Sequence, residues 1–189
     1  MLRFWAFLNP KVTFLSEDFG VKKRPSIYFL AHIRNKYLDA IDGKYKDFDI
    51  VMIVDMDMFR GWDKRGIYDT FAKIDQWQAV CANGIFSKEG HMYDAFSFRN
   101  DEFPNGPHSP YWSERVPKMQ KIYPVNTDFV PVRSCFNGLA FYKRAFIEGC
   151  RYASDRGDCE HIPFHDCIHQ KNNGNMFMNP SMIIRYPWA

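Results

Sequence analysis

The chain has 189 residues, which is enough for one sizeable domain and too few for two ordinary ones. Lys and Arg number 25 and Asp and Glu number 22. The resulting charge of +3 is too even for a protein that binds nucleic acid or a membrane surface by releasing counterions. With 46% hydrophobic and 25% charged residues, the composition also excludes intrinsic disorder. We therefore expect one folded domain over residues 1–189 and no nucleic-acid partner.

The cysteines and the apolar segments predict the compartment. No run approaches the roughly 20 apolar residues that a membrane span needs, and the apolar start at residues 2–8 lacks the layout of a signal peptide. The five cysteines are odd in number and form no CxxC pair, which argues against a disulfide framework, although Cys150 and Cys159 could close a short loop. We expect a reducing, cytoplasmic location. The alternative is the Golgi or ER lumen, with an anchor lying upstream of residue 1.

Hydrophobic spacing predicts strands that alternate with helices, which is the pattern of an α/β fold. The proline-rich stretch 102–133 has little periodicity and is expected to be a long surface loop. Residues 50–54 are five consecutive apolar residues, which favours a strand covered on both faces. The predicted strands are 11–16, 50–54, 79–82, 134–142 and 176–184, and the predicted helices are 26–41, 62–74 and 163–172.

The sharpest feature is the pair Asp55 and Asp57, which directly follows the predicted strand 50–54. Side-chain alternation puts the two carboxylates on the same side, at the end of a strand where open α/β sheets bind ligands. Paired carboxylate oxygens suit Mg²⁺ or Mn²⁺, which also bridge substrate phosphates. The simpler interpretation is a solvated strand end that carries two acidic residues.

One enzyme class with this pattern is the phosphatases of the haloacid dehalogenase type. They place the DxD strand near the start of the chain and follow it with a small residue, whereas here about 50 residues precede it and Phe59 stands at that position. No later acidic pair completes their metal site. A metal-dependent phosphatase is therefore the less favoured enzymatic alternative.

The order of several short motifs is similar to that of the GT-A glycosyltransferases. Residues 33–38 (IRNKYL), 48–50 (FDI) and the strand into Asp55 and Asp57 resemble an RN-x-x-L, YD, DxD order. Four further motifs follow in the same order as in that fold: residues 81–84 (CANG), Tyr93-Asp94 with Arg99, 134–138 (SCFNG) and 179–181 (NPS). The resemblance covers about residues 11–186. It is strongest to the fungal capsule-type α-1,3-mannosyltransferases and to the glycosyltransferases of large DNA viruses.

The resemblance implies a GT-A-like, mixed and mostly parallel sheet flanked by helices. Such domains begin with a strand that holds the nucleotide base, followed by a helix. This chain opens in that helix, at residues 2–8, so we expect the first strand to be missing and the domain to be truncated at its N-terminus.

The resemblance also implies how the donor diphosphate is held. Asp57 would ligate Mn²⁺ or Mg²⁺, and Asp55 would contact the ribose, the sugar or the metal. Arg34 is a candidate for a phosphate or nucleotide contact, with an ordinary surface arginine as the alternative.

Six further residues complete the predicted site. Asn137 and Gly138 are expected to lie against the donor sugar, because glycine weakens a strand unless something approaches the backbone closely. Asp94 and Arg99 are expected beside them as a catalytic and a donor-binding residue, although a Tyr-Asp pair in a loop is also common in turns. Glu160 is the candidate general base of an inverting enzyme, or an acceptor- or donor-binding residue of a retaining one, with helix capping as the alternative. His165 is the candidate third metal ligand.

Four aromatic residues could stack on sugar rings, with core packing as the commoner explanation: Trp62, Trp77, Tyr111 and Trp112. The resemblance implies a transferase that moves a hexose or deoxyhexose from a UDP- or GDP-sugar to a glycan or glycoprotein acceptor, with retention of configuration. The non-enzymatic alternative is a degenerate domain that binds glycan or nucleotide without turnover.

Overall fold

The computed structural model describes residues 2–16, 20, 26–58, 61–85, 92–106, 123–154, 157–172 and 174–185. The helices in this part of the chain are α1 (Leu2–Leu8), α2 (Ile27–Asp42), α3 (Lys64–Ala72), α4 (Arg144–Ile147) and α5 (His161–Asn172), with a 3₁₀ turn at Ile74–Gln76. The strands are β1 (Ile50–Val54), β2 (Ala79–Ile85), β3 (Val130–Pro131), β4 (Leu139–Lys143) and β5 (Met176–Arg185).

The five strands form one mixed sheet in the order β1-β4-β2-β5-β3, flanked by helices, so the α/β class is confirmed. The expectation of a mostly parallel sheet is wrong for the described strands. Only β2 and β5 are parallel neighbours, because β4 runs in the opposite direction between β1 and β2, and β3 runs opposite to β5. Strands β1, β2 and β5 nevertheless point the same way, and their carboxyl ends meet at one edge of the sheet.

Helix α2 follows from local signals that the sequence displays. Ser26 caps its N-terminus, accepting a hydrogen bond from the Phe29 amide over 3.3 Å, and Gly43 follows its last residue. Ala31 and Leu38, seven residues apart and thus on one face, are buried against the sheet. This packing positions α2, and with it Arg34, over the end of β1.

The core has one layer on each side of the sheet. Val51 and Ile53 of β1 belong to the layer beneath α2 and α5, whereas Ile50 and Val54 border the layer beneath α3. Met52 is 39% exposed, so the expected full covering of β1 is wrong. The reason is that α3 packs over β5, away from β1, which lies at the end of the described sheet.

Two predicted strands differ from the structure. Residues 11–16 join no ladder, and their described contacts to the body include Thr13, which hydrogen-bonds Tyr45 and Lys44. Residues 134–138 form an irregular segment and β4 begins only at Leu139, because Asn137 and Gly138 both take positive φ angles. The predicted loop 102–133 contributes the short strand β3, and its residues 107–122 lie outside the described part.

The cysteines also differ from expectation. Cys81 pairs with Cys135 and Cys150 pairs with Cys167, whereas Cys159 is free and buried. The expectation that the chain has no disulfide framework is therefore wrong. The possible Cys150–Cys159 loop does not form, because helix α5 brings Cys167 to Cys150 instead. Among the described residues, no helix is both long and apolar enough to cross a membrane.

Candidate functional site

The end of β1 presents Asp55 at the sheet edge where β2 and β5 also end. The Asp55 amide donates to the Gly138 carbonyl over 2.9 Å, which fixes the backbone just beyond the strand. Alternation along β1 puts the Asp55 side chain on the same side as Val51 and Ile53, towards α2 and α5. Asp57 follows on the exposed surface.

Arg34 of α2 connects two of the predicted site residues. Its Nε donates to Glu160 Oε1 over 2.8 Å, and its Nη2 lies 3.6 Å from Asp55 Oδ1. The guanidinium carbon is 5.0 Å from the ring centre of Phe136 and 5.8 Å from that of Tyr152. Two carboxylates and two aromatic rings thus hold one planar cation, which restricts its orientation.

The carboxylates outnumber the cation that they share. Burial raises the pKa of Asp55 to about 6, and the negative charges of Asp94, Asp57 and Glu160 add to this rise, although Arg34 opposes it. Asp55 and Glu160 both contact the guanidinium, and the carboxylates of Asp94 and Asp57 add further negative charge near Asp55. Such a site gains free energy when it binds a cation, because the cation relieves the mutual repulsion.

Asp94 joins this group from the segment that follows β2. Its carboxylate accepts hydrogen bonds from the Ser97 hydroxyl at 2.5 Å and the Ser97 amide at 3.3 Å, and its own amide donates to Asn137 Oδ1 at 3.2 Å. Burial raises the pKa of Asp94, and the charge of Glu160 raises it further, while the Ser97 bonds oppose the shift.

Asn137 and Gly138 shape the backbone between these acids. Asn137 is fully buried and its Nδ2 donates to the Ala82 carbonyl over 2.9 Å, so its amide ties the loop to β2 and to Asp94. The Asn137 side chain is thus used within the protein, and the position of Asn137 against a donor sugar stays a prediction. Gly138 has φ of 84°, and an added Cβ would lie 3.2 Å from the Met58 side chain.

Arg99 does not reach the carboxylates. It is buried, its Nη1 donates to the carbonyls of Phe96 and Phe98, and its Nη2 donates to Asp158 over 2.7 Å. The expectation that Arg99 binds the donor is therefore corrected, because its guanidinium joins two loops of the protein.

His165 is also a structural residue. It is fully buried, with Nδ1 at 2.8 Å from the Ser134 hydroxyl and Nε2 at 3.0 Å from the Tyr142 hydroxyl. Burial lowers its pKa to about 3, with the charges of His169 and Arg34 adding to the shift. The expectation that His165 ligates the metal is wrong, because both ring nitrogens are used inside the core.

Glu160 precedes α5 and is only 4% exposed. Its Oε1 accepts from Arg34, and its Oε2 lies 3.7 Å from the Cys159 sulfur. A general base needs a carboxylate that can reach the acceptor hydroxyl. The ion pair and the burial favour instead a residue that holds Arg34 in place.

Sequence reasoning missed the aromatic wall behind Arg34, formed by Phe136, Tyr152 and His161. The His161 ring stacks on Phe136 at 4.3 Å, and neither ring nitrogen has a hydrogen-bond partner in the described structure. Its Nε2 lies 3.9 Å from Glu160 Oε1. Adjacency to Glu160 was the one signal in the sequence.

The predicted sugar-stacking aromatics divide between core and surface. Trp77 is fully buried and donates to the Thr70 carbonyl over 3.0 Å, so it is a core residue. Trp62 is 41% exposed. Tyr111 and Trp112 lie outside the described residues.

Asp55 and Asp57 are the residues that fit a divalent cation. No group of three or more His, Cys, Asp or Glu side chains stands ready to ligate a metal within the described part of the chain. Two carboxylates nevertheless fit Mg²⁺ or Mn²⁺, which commonly bind through one or two carboxylates, substrate phosphates and water. The negative charge around Asp55 is the observation that supports this fit.

Comparison with known proteins finds a distant structural neighbour. No family model matches the chain, and no curated protein matches it. Among solved structures, it is similar to A197 from STIV, with 18% sequence identity and a TM-score of 0.45 over 81% of this chain. The match covers 64% of that neighbour, so this chain aligns with less than two thirds of its length.

Proposed function

We propose that this protein is a metal-dependent glycosyltransferase that moves a hexose or deoxyhexose from a UDP- or GDP-sugar to a glycan or glycoprotein acceptor. The observation that carries the proposal is the arrangement at the end of β1. Asp55 shares Arg34 with Glu160, and burial raises the pKa of Asp55 to about 6, with nearby carboxylates adding to the rise. A site that combines excess carboxylate with a fixed guanidinium can hold both a cation and the diphosphate that accompanies it.

Asp57 and Asp55 would hold Mn²⁺ or Mg²⁺. When bound, the cation would neutralise the negative charge that develops on the departing diphosphate. Asp57 is exposed and therefore free to ligate, whereas Asp55 is partly buried and held by its amide. We propose that Asp57 is the main ligand and that Asp55 orients the ribose or sugar or completes the ligation.

Arg34 would contribute a second positive charge to the donor diphosphate. Its contacts with Glu160 and with the rings of Phe136 and Tyr152 fix the guanidinium before the donor arrives. A preorganised cation stabilises developing charge without reorganising during the reaction. Glu160 then acts through Arg34, which supports transfer with retention over an inverting mechanism that uses Glu160 as the base.

Asp94 is the carboxylate that we propose to face the reacting sugar. Burial and the charge of Glu160 raise its pKa, and the Ser97 bonds fix its orientation. A carboxylate with a raised pKa is suited to proton transfer near neutral pH.

The two disulfides favour the lumen of the Golgi or ER as the location, because structural disulfides persist in oxidising compartments. Mass spectrometry of protein from its native cells, with free thiols alkylated before lysis, tests this. One alkylated cysteine, Cys159, is expected; five alkylated cysteines would place the protein in a reducing compartment.

Donor hydrolysis and transfer test the function. The protein is incubated with a panel of UDP- and GDP-linked hexoses and deoxyhexoses and Mn²⁺, and release of the nucleoside diphosphate is measured. Release from one donor is expected, and it should be lost with a chelator and in Asp57→Ala. Asp49→Ala is the matched control, because Asp49 is an exposed aspartate at the opposite end of β1. Release of phosphate from p-nitrophenyl phosphate, with no donor cleaved, would favour the phosphatase alternative.

A further inference from the structure

A cleft lies beside helix α3, and Asp55 is not among its lining residues. It has a volume of about 370 Å³, within the range of small-ligand sites. Helix α3 forms one wall, the segment 125–128 forms another, and β5 forms the floor. The lining residues with charged or hydroxyl side chains are Asp63, Arg65, Asp69, Lys73, Thr127, Asp128 and Ser181.

The cleft is held open by contacts within the protein. Gly66 lets α3 lie directly on β5, since an added Cβ would come within 2.2 Å of the Ser181 carbonyl oxygen. The Asn126 amide donates to the Ser181 hydroxyl over 2.8 Å, and the Thr127 hydroxyl donates to the Pro124 carbonyl over 2.8 Å. Both walls are therefore tied in position, as is usual for a preformed ligand site.

The charges in the cleft argue against a phosphate ligand. Arg65 is paired with Asp63 at 2.7 Å, and Lys73 is paired with Asp69 at 3.1 Å. Each cation thus has a carboxylate that neutralises its charge, and the lining residues include no other Lys or Arg that could attract a phosphate. Asp128 is exposed and takes part in no ion pair within the described residues, which leaves the cleft slightly negative.

The lining is also unsuited to an apolar ligand. Val125 and Ile183 are the two large apolar side chains that line the cleft, and the other lining groups are carboxylates, hydroxyls, an amide and the two paired cations. Such groups match a neutral ligand that carries many hydroxyls, since each hydroxyl both donates and accepts.

We infer that the cleft between α3 and residues 125–128 binds a neutral carbohydrate. This goes beyond the proposed function, because binding here requires neither the metal nor the residues around Asp55. If the transferase proposal holds, the cleft would retain a part of the acceptor glycan that does not react.

The inference is tested by two-dimensional NMR of the ¹⁵N-labelled protein, titrated with methyl glycosides of common hexoses and with disaccharides, without nucleotide or metal. Saturable shifts are expected for the amides of Gly66, Asn126, Thr127 and Ser181 with at least one sugar. Asp128→Ala should weaken that binding about tenfold, because a hydrogen bond to a charged acceptor is lost. Asp75→Ala, an exposed aspartate on the 3₁₀ turn outside the cleft, should leave it unchanged.

Two outcomes would overturn the inference. One is that no sugar gives saturable shifts at these amides. The other is that inorganic pyrophosphate, or an unrelated acidic or basic peptide, shifts them more strongly than any sugar. Thr127→Trp, which fills the cleft, provides a second test and should abolish the sugar shifts while circular dichroism shows a folded protein. The NMR titration measures sugar binding and no turnover. Absence of sugar binding would therefore not contradict the transferase proposal, and absence of donor cleavage would not contradict sugar binding in this cleft.

Discussion

Arg34 on helix α2 and Glu160 at the start of helix α5 form an ion pair, with Nε and Oε1 2.8 Å apart, across 126 residues of sequence. Their side chains are 15% and 5% exposed. The pair therefore joins the two helices on one face of the sheet at the point where β1 delivers Asp55. Removing one partner would leave a buried charge without compensation, which costs more than the pair itself contributes.

Arg34→Met is expected to lower the free energy of unfolding by about 3 kcal/mol, because Glu160 would then be buried alone. The double variant Arg34→Met/Glu160→Met should recover much of that loss. Urea denaturation measures both. Arg144→Met is the control, since its partner Glu148 is 65% exposed and the loss should stay below about 1 kcal/mol. Equal losses in the single and double variants would show that the charges of the pair do not govern the effect.

Asp55→Asn is expected to stabilise the protein at pH 8 while it impairs activity. The folded pKa of Asp55, about 6, lies above its ordinary value of 3.8, so ionising this group costs stability. That cost is complete above pH 6 and disappears as the pH falls to about 4. The variant should gain about 1 to 2 kcal/mol at pH 8, less than the full shift implies because Asp55 is a third exposed, and nothing at pH 4. Thermal unfolding at both pH values measures the difference, and a gain that does not depend on pH would contradict this explanation.

His165 is expected to destabilise the protein in acid. The pKa of His165 in the folded protein is about 3, below its ordinary value of 6.5. Between these two pH values the imidazole is protonated in the unfolded chain and neutral in the folded protein. The contribution of His165 to the free energy of unfolding is complete above pH 6.5 and is smaller by about 2 kcal/mol at pH 5. His165→Gln, which keeps a donor and an acceptor but does not titrate, should lose less stability than the parent between pH 7 and pH 5. Parallel pH profiles for the two proteins would refute the assignment.

Gly138→Ala is expected to cost both stability and activity. The positive φ alone costs an alanine about 1 to 2 kcal/mol, and its Cβ would also press on Met58. Gly157→Ala is the matched control, because Gly157 also has a positive φ, of 78°, but an added Cβ would meet nothing within 4 Å. The difference between the two variants measures the Met58 contact. Only Gly138→Ala should reduce donor cleavage, since the Gly138 carbonyl holds the Asp55 amide.

The sequence was most informative where the signal is local. Ser26 and Gly43 bound α2 by their capping chemistry, and the apolar run 50–54 that precedes Asp55 and Asp57 forms the predicted strand. Those two elements bring Arg34 and Asp55 to the same place. The proximity of Arg34 and Asp55 could therefore be predicted from the order of the motifs and the direction of the strand.

The rest depends on contacts between distant residues. His165 has the spacing of a metal ligand, and only Ser134 and Tyr142, 31 and 23 residues away, show that both its nitrogens are already used. Arg99 is turned away from the site by Asp158, 59 residues later in the chain. The pairing of Cys81 with Cys135 follows from the approach of the segment before β4 to β2, which spacing along the chain does not reveal.

Calorimetric titration with UDP and with GDP, each with and without Mn²⁺, tests the central claim most directly. We expect one of the two nucleotides to bind, only when Mn²⁺ is present, and we expect that binding to be lost in Asp57→Asn and kept in Asp49→Asn. Absence of binding for both nucleotides, or binding that neither Mn²⁺ nor Asp57→Asn alters, would contradict the proposal that the end of β1 holds a metal-bound nucleotide-sugar donor.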